Sequence, residues 1–318
     1  MRSVPRSLVI IAMLVALWVT ATGSALARQD PIQQYPVEYN SFPGVPYELA
    51  NPGGSLPGSN DWSCRPSAEH PNPVVLVHGY ALNAQSNWGV YVPLLANEGY
   101  CVYALTYGAY KEMPWPFSST GGLRSVEESG ADIAAFVDRV LEATGAARVD
   151  IVSHSAGAVV SNYYVKRLGG AAKVDKIVSL APFWLGTNWL AWADIAAFVQ
   201  AMGAGAARDA LMDATCEQCN QLYRDADFLR ELNSDGVYSP AVTYTNIATE
   251  HDQLAVPYTS GLVPATNATN IVVQQGCSQD YSGHGMLAST RRVAAYVLNA
   301  LDPANPRAVP CEFIPVPL

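Results

Sequence analysis

The chain has 318 residues, half of them apolar and 14% charged, with a formal net charge of −9. That apolar content excludes a disordered chain, and the acidic balance argues against nucleic acid or an anionic membrane surface as partner. The length lies near the upper limit for one hydrophobic core.

Arg2 and Arg6 precede the unbroken apolar run Leu8–Val19, and Ala25-Leu26-Ala27 follows it. A basic start, a short apolar stretch and an A-x-A site predict a cleaved signal peptide over 1–27. The run falls short of the ~20 apolar residues that a membrane span needs. Cleavage removes two arginines and no acid, so the formal charge becomes −11. Residues 28–318 are then expected as one exported, soluble domain with no integral span. The Pro/Gly-rich stretch 43–58 reads as an extended lead-in and the Pro-rich end 303–317 as a surface strap.

Strands alternate with helices, which predicts a parallel sheet. Pro73–Val77, Tyr100–Tyr107, Val149–Val152, Lys176–Leu180, Ala241–Ala248 and Asn270–Gln274 are six apolar runs suited to strands buried on both faces. Between the second and third, Ser125 and Glu128 suggest a capping box. Val126, Gly130, Ile133, Ala134, Val137, Val140 and Leu141 then recur at helical spacing up to Gly145. Ala156–Leu168 and a last helix from about Ser289 to Leu301 complete the pattern.

Ser153-His154-Ser155-Ala156-Gly157 joins the third strand to the helix after it. A nucleophile elbow needs a serine on such a sharp turn, flanked two residues away on each side by small residues, because strand and helix cross closely there. Ser155 is thus the expected nucleophile. Such a serine needs a base and an orienting acid, in the order Ser, acid, His. His251 and His284 are the histidines downstream. His284 lies between Gly283 and Gly285 in a loop before the last helix and is the expected base. Asp252, directly after the fifth strand, is the expected acid, with Glu250 and Asp280 as rivals. The oxyanion hole is expected from the backbone N–H groups of Ala156 and Tyr80, the latter after Val77-His78-Gly79. His78 and His154 are expected to be structural.

Six cysteines in an exported chain suggest disulfides, and sequence allows fifteen pairings. Cys64–Cys101 would tie the N-terminal strap to the second strand, and Cys277–Cys311 the final strand region to the C-terminal strap. Cys216-Glu217-Gln218-Cys219 is a C-x-x-C. A zinc site needs about four ligands, and the chain has no second C-x-x-C and no H-x-x-x-H. A local Cys216–Cys219 bridge is therefore expected, and no metal.

Pro73–Gly79, the Ser153–Gly157 elbow, Thr249-Glu250-His251-Asp252-Gln253-Leu254-Ala255-Val256-Pro257 and the Ser282–Met286 loop together resemble the secreted class 2 lipases of bacteria, over the chain from about Asp61 onward. The resemblance implies a minimal α/β-hydrolase fold lacking the first two strands of the full fold. It further implies lipase or esterase activity without a cofactor, and cysteine placement compatible with the three bridges above. Leu185 stands where a polar residue is common in the family, and Tyr80 is bulkier than many residues at its position. The expected activity is hydrolysis of carboxylic esters, foremost triacylglycerols, with a lipid–water interface as its setting. A carboxylesterase, a cutinase-like polyester hydrolase or an acyltransferase would use the same triad, whereas a non-catalytic binding protein should lack one of its members.

The insert 183–240, between the fourth strand and the acid, is rich in apolar surface. Trp184 and Trp189, then Ile195, Phe198, Val199 and Met202 at roughly helical spacing, suggest a cap whose apolar face lines an acyl pocket at the carboxyl end of the sheet. Trp184, Trp189 and Phe198 are the candidate substrate-binding residues there, with Trp115 on the opposite wall.

Overall fold

The computed structural model describes residues 34–213 and 216–315. The leader predicted over 1–27 lies outside them. Six strands form one sheet: β1 Val74–Val77, β2 Val102–Leu105, β3 Val149–His154, β4 Val174–Leu180, β5 Thr243–Ala248 and β6 Ala268–Val272. Their order is β2-β1-β3-β4-β5-β6, and every neighbouring pair is parallel. The helices are α1 Val45–Ala50, α2 Tyr91–Asn97, α3 Val126–Thr144, α4 Ala156–Arg167, α5 Trp192–Ala201, α6 Gly205–Asp213, α7 Glu217–Leu222, α8 Asp227–Leu232 and α9 Arg291–Leu301.

The alternation of side chains along each strand explains why the strand sequences are apolar throughout. Val75 and Val77, Tyr103 and Leu105, and Val149 and Ile151 meet one hydrophobic cluster, which α3 and α4 cover. Val74 and Leu76, Val102 and Ala104, and Val152 meet a second, which α2 and α9 cover. With helices on both faces, both side-chain registers are buried. The chain runs from β1 outward to β2 and returns on the other side of β1 to β3. That reversal opens a crevice at the carboxyl ends of β1 and β3, where open α/β sheets bind ligands.

Two local expectations change. The stretch 43–58 is not wholly extended, because α1 forms within it. Buried Glu48 there accepts from Gln85 Nε2 (2.6 Å) and the Gly53 N–H (3.0 Å). At the start of α3, only half of the capping box forms. Ser125 Oγ accepts from the Glu128 N–H, but Glu128 pairs with Arg124 (2.6 Å). The Ser125 N–H instead donates to Glu217 Oε2 (2.9 Å), and the Val126 N–H to Gln221 Oε1 (2.7 Å). Thus α7, from the distant insert, satisfies amides that a helix N-terminus leaves orphaned.

Bridges join Cys64 to Cys101, Cys216 to Cys219 and Cys277 to Cys311. Near the last bridge, buried Arg292 donates to the carbonyls of Val273, Gln275 and Pro310. It so holds the strap against the end of the sheet. No helix among the described residues is long and apolar enough to cross a membrane.

Candidate active site

Ser155 sits between the end of β3 and the first residue of α4 with φ 56° and ψ −126°. Positive φ is rare for a residue with a Cβ, and strain of this kind costs on the order of 1–3 kcal/mol, sustained by surrounding structure. Here the Ser155 N–H donates to the Leu180 carbonyl at the end of β4 (2.8 Å). The demand for small neighbours has a direct steric cause. A Cβ on Gly157 would lie 2.3 Å from the His78 carbonyl oxygen, so no larger residue fits. Ser153, at the other small position, exchanges a hydroxyl hydrogen bond with Ser179 (2.9 Å) inside the sheet.

His284 and Asp252 arrive from the loops after β6 and β5. His284 Nε2 is 2.8 Å from Ser155 Oγ. Its Nδ1 is 2.8 and 2.9 Å from the two Asp252 carboxylate oxygens. Both side chains are buried. Asp252 Oδ1 also accepts from the N–H groups of Leu254 (2.8 Å) and Ala255 (2.6 Å). The His284 N–H donates to Gln253 Oε1 (3.0 Å). The carboxylate and the ring are therefore held from several directions, and the hydroxyl–imidazole–carboxylate chain can relay a proton from Ser155 Oγ to His284 Nε2.

The rivals lie elsewhere. Asp280 is buried, with Oδ1 accepting from the Ser282 N–H (2.9 Å) and hydroxyl (2.5 Å). His251 rests against the Tyr281 ring, and the Glu250 N–H is held by Gln274 Oε1 (3.0 Å).

Two further histidines, His78 and His154, frame the site. His78 is buried, stacked on Tyr107; its Nδ1 donates to the Gly79 carbonyl (2.7 Å) and its Nε2 accepts from the Tyr107 N–H (3.2 Å). Burial pushes its pKa down to about 4, and the two contacts fix one neutral tautomer. His154 stands between Asn87 Oδ1 (3.0 Å) and the His284 carbonyl (3.2 Å). Burial, aided by neighbouring His284, pushes its pKa down to about 3. Asn87 Oδ1 also accepts from the Gly79 N–H (2.9 Å), which anchors the turn that presents Tyr80. Among the described residues, no carbonyl or side chain accepts from the Tyr80 or Ala156 N–H. Both residues line the same cavity as Ser155. A Cβ on Gly79 would lie 3.1 Å from the Ser155 Cβ, so glycine keeps that approach open.

The cavity has a volume of about 510 Å³, and its walls are almost entirely apolar. Phe183, Thr187, Trp189, Leu190, Leu222, Tyr223 and Leu254 line it, with Gln218 and Cys219 from α7. Of the four residues expected to meet substrate, only Trp189 is brought there. Trp184 is 2% exposed and packs edge-on against Tyr238 and Tyr244, its Nε1–H donating to Asn246 Oδ1 (3.1 Å). Phe198 is 67% exposed on α5. Trp115 is also exposed, with its indole N–H 3.4 Å from Glu48 Oε1. Among the described residues, no apolar side chain of α5 lines the wall; the turn before α5 and the short α7 contribute to it. In the sequence α7 has no apolar period long enough to mark it, so its contribution was not legible there.

The fold is shared with two solved lipases. Lipase B of Aspergillus fumigatus superposes with a TM-score of 0.56 at 16% identity, over 85% of this chain and 63% of that one. The chain thus spans less than two thirds of the Aspergillus protein. The mature BlEst2 lipase of Bacillus licheniformis gives a TM-score of 0.52 at 14% identity, over 79% of this chain and 99% of that one. Such identities establish a common fold only. Family membership comes from the sequence itself: residues 71–295, from before β1 into α9, match the family described as lipase (class 2). The chain belongs to the class 2 lipases, hydrolases of the lipase and esterase type.

Proposed function

We propose that this protein is a secreted lipase that cleaves triacylglycerols and related lipid esters through an acyl-enzyme on Ser155. The observation that carries the reading is Ser155 Oγ, 2.8 Å from His284 Nε2, at the wall of a nearly apolar cavity. Ser155 Oγ attacks the ester carbonyl while His284 Nε2 takes its proton. Asp252 holds Nδ1–H and stabilises the imidazolium. The carbonyl oxygen becomes an alkoxide facing the Tyr80 and Ala156 N–H groups, at a helix N-terminus that favours negative charge. His284 returns the proton to the leaving alcohol, and water then releases the acid by the same steps.

The cavity suits an acyl chain, since each buried CH₂ is worth roughly 0.8 kcal/mol. On the insert that supplies much of its wall, Leu190, Phe198 and Met202 are 72%, 67% and 69% exposed, and Ile195 and Leu185 are exposed as well. So much apolar surface on one insert suits contact with a lipid–water interface. Three disulfides and the leader-like start favour an oxidising, extracellular setting, with residues 28–318 as the catalytic domain.

The test is a series of glyceride and simple esters of rising acyl length, soluble and emulsified, with wild-type protein and Ser155→Ala. Activity that rises beyond acetate, vanishes in Ser155→Ala and is blocked by one phosphonate per chain on Ser155 supports the reading. Full turnover in folded Ser155→Ala, or labelling at another residue, refutes it.

A further inference from the structure

The wall that α7 contributes to the cavity carries one polar side chain without a partner. Gln218 is 1% exposed and lines the cavity. Neither its Oε1 nor its Nε2 has a hydrogen-bond partner among the described residues. Leaving a buried polar group unpaired is costly, and buried polar groups in proteins are paired as a rule. The residues around Gln218 use their polar groups elsewhere. Glu217 and Gln221 cap α3, and the Cys216–Cys219 bridge spans Gln218 itself. The helix is thus held from outside while Gln218 itself lies buried at the cavity wall.

Its position says what it meets. A Cβ built on Gly122 would lie 3.0 Å from Gln218 Nε2, 3.1 Å from Tyr80 Cα and 3.2 Å from the Gly79 carbonyl oxygen. The amide therefore stands beside the turn that presents the Tyr80 N–H, with Gly122 packed closely against both. Ser155 and Ala156 line the same cavity, so a group held by Gln218 is a near neighbour of the scissile ester. A hydrocarbon chain leaves both amide atoms unpaired. An oxygen accepts from Nε2–H, and a hydroxyl can also donate to Oε1. In apolar pockets, a few such polar groups fix orientation and specificity.

We propose that Gln218 is the specificity-determining residue of this cavity and selects esters with a second oxygen function, a hydroxyl above all, close to the scissile carbonyl. The proposal rests on the Ser155 hydrolase reading. The oxygen can belong to the acid, as in a hydroxyacyl ester, or to the alcohol, as in a monoacylglycerol.

Two matched pairs separate these sources: ethyl butyrate with ethyl 3-hydroxybutyrate, and propyl butyrate with glycerol 1-monobutyrate. kcat/KM is measured for each with wild-type protein, Gln218→Met and Gln218→Ala. Wild type is expected to favour the hydroxylated member of one pair by about tenfold, and the pair that shows it names the source. In Gln218→Met, that ratio should fall to about one, with gain on the plain ester and loss on the hydroxylated one. Replacing an unpaired buried amide by an apolar side chain of similar size should also leave the thermal midpoint unchanged or raised. Should Gln218→Met fail to fold, the same ratio is read in Gln218→Ala.

A merely structural role predicts equal loss on both members of a pair, and that result overturns the proposal. A wild-type ratio near one in both pairs does the same. If wild type hydrolyses none of the four esters and Ser155 resists phosphonate, the hydrolase reading falls as well; phosphonate reactivity distinguishes that failure from failure of the Gln218 proposal alone.

Discussion

Asp252→Asn removes a charge with little change of shape, and the hydrogen bonds around it define what is lost. Leu254 and Ala255 both donate to Asp252 Oδ1, at 2.8 and 2.6 Å. In the variant these donors select the amide oxygen for that place. The amide NH₂ then occupies the Oδ2 position, 2.9 Å from His284 Nδ1 in the parent. The exclusive preference for a proton on Nδ1 is weakened, and the imidazolium formed during attack loses its counter-charge. At an effective dielectric of about 20 and a charge separation of about 4 Å, that pairing is worth about 4 kcal/mol. At tenfold per ~1.4 kcal/mol, kcat should fall about a thousandfold. KM should change little, because Asp252 is not part of the cavity wall. The assay is hydrolysis of p-nitrophenyl butyrate, normalised to sites titrated with a phosphonate so that unfolded protein is not counted. Asp280→Asn and His251→Ala are the controls and should stay near the parent. A loss of less than about tenfold in Asp252→Asn, or a larger loss in Asp280→Asn at matched stability, refutes this account.

Trp189→Ala should lower kcat/KM more for octanoate than for butyrate esters and most for palmitate, since Trp189 lines the cavity; equal losses on all three would make it structural. Phe198→Ala should leave soluble esters near parent rates but slow emulsified triglyceride, because Phe198 is exposed on α5 and does not line the cavity; identical behaviour on both substrates would remove the interface from the argument. A third prediction concerns stability. Burial raises the Asp150 carboxyl to about 6, although Lys176 at 3.5 Å and a hydrogen bond from Asn72 lower it. The native state thus binds this proton more tightly than the unfolded chain does. The resulting stabilisation is full below about pH 4 and lost as pH rises through about 6. Asp150→Asn stays neutral throughout. Its stability relative to the parent should therefore improve between pH 4 and 7, by up to about 3 kcal/mol, read from thermal midpoints; a pH-independent difference would contradict it.

The six strands were legible because a doubly covered parallel sheet writes itself as short apolar runs, with boundaries off by a few residues, as at Lys176 against Val174 and Asn270 against Ala268. The residues brought together at Ser155 were legible for a different reason. The elbow's small positions, the glycines around His284 and the order of the loops after successive strands are constraints of backbone geometry, and such constraints leave marks in sequence. The cavity wall left none. Phe198 and Met202 have helical spacing but face away from the core, because an apolar period does not say which surface it will meet. Gln218 lies in a six-residue helix with no period at all. The partner of the Ser125 N–H was equally hidden, since Glu217 is 92 residues away in the chain.

The cap that α7 places on α3 joins two parts of the protein that enzymes often keep separate. The same six residues close the substrate cavity and terminate a nineteen-residue helix of the core. Swinging this wall outward exposes the orphaned amides at the start of α3, and the loss of a cap costs about 1 kcal/mol each time. The half of the insert bearing α7 is therefore a poor door and a good keel. Heating should not produce a folded but inactive species through loosening at α7. Inactivation and the loss of helical circular dichroism should instead follow one curve.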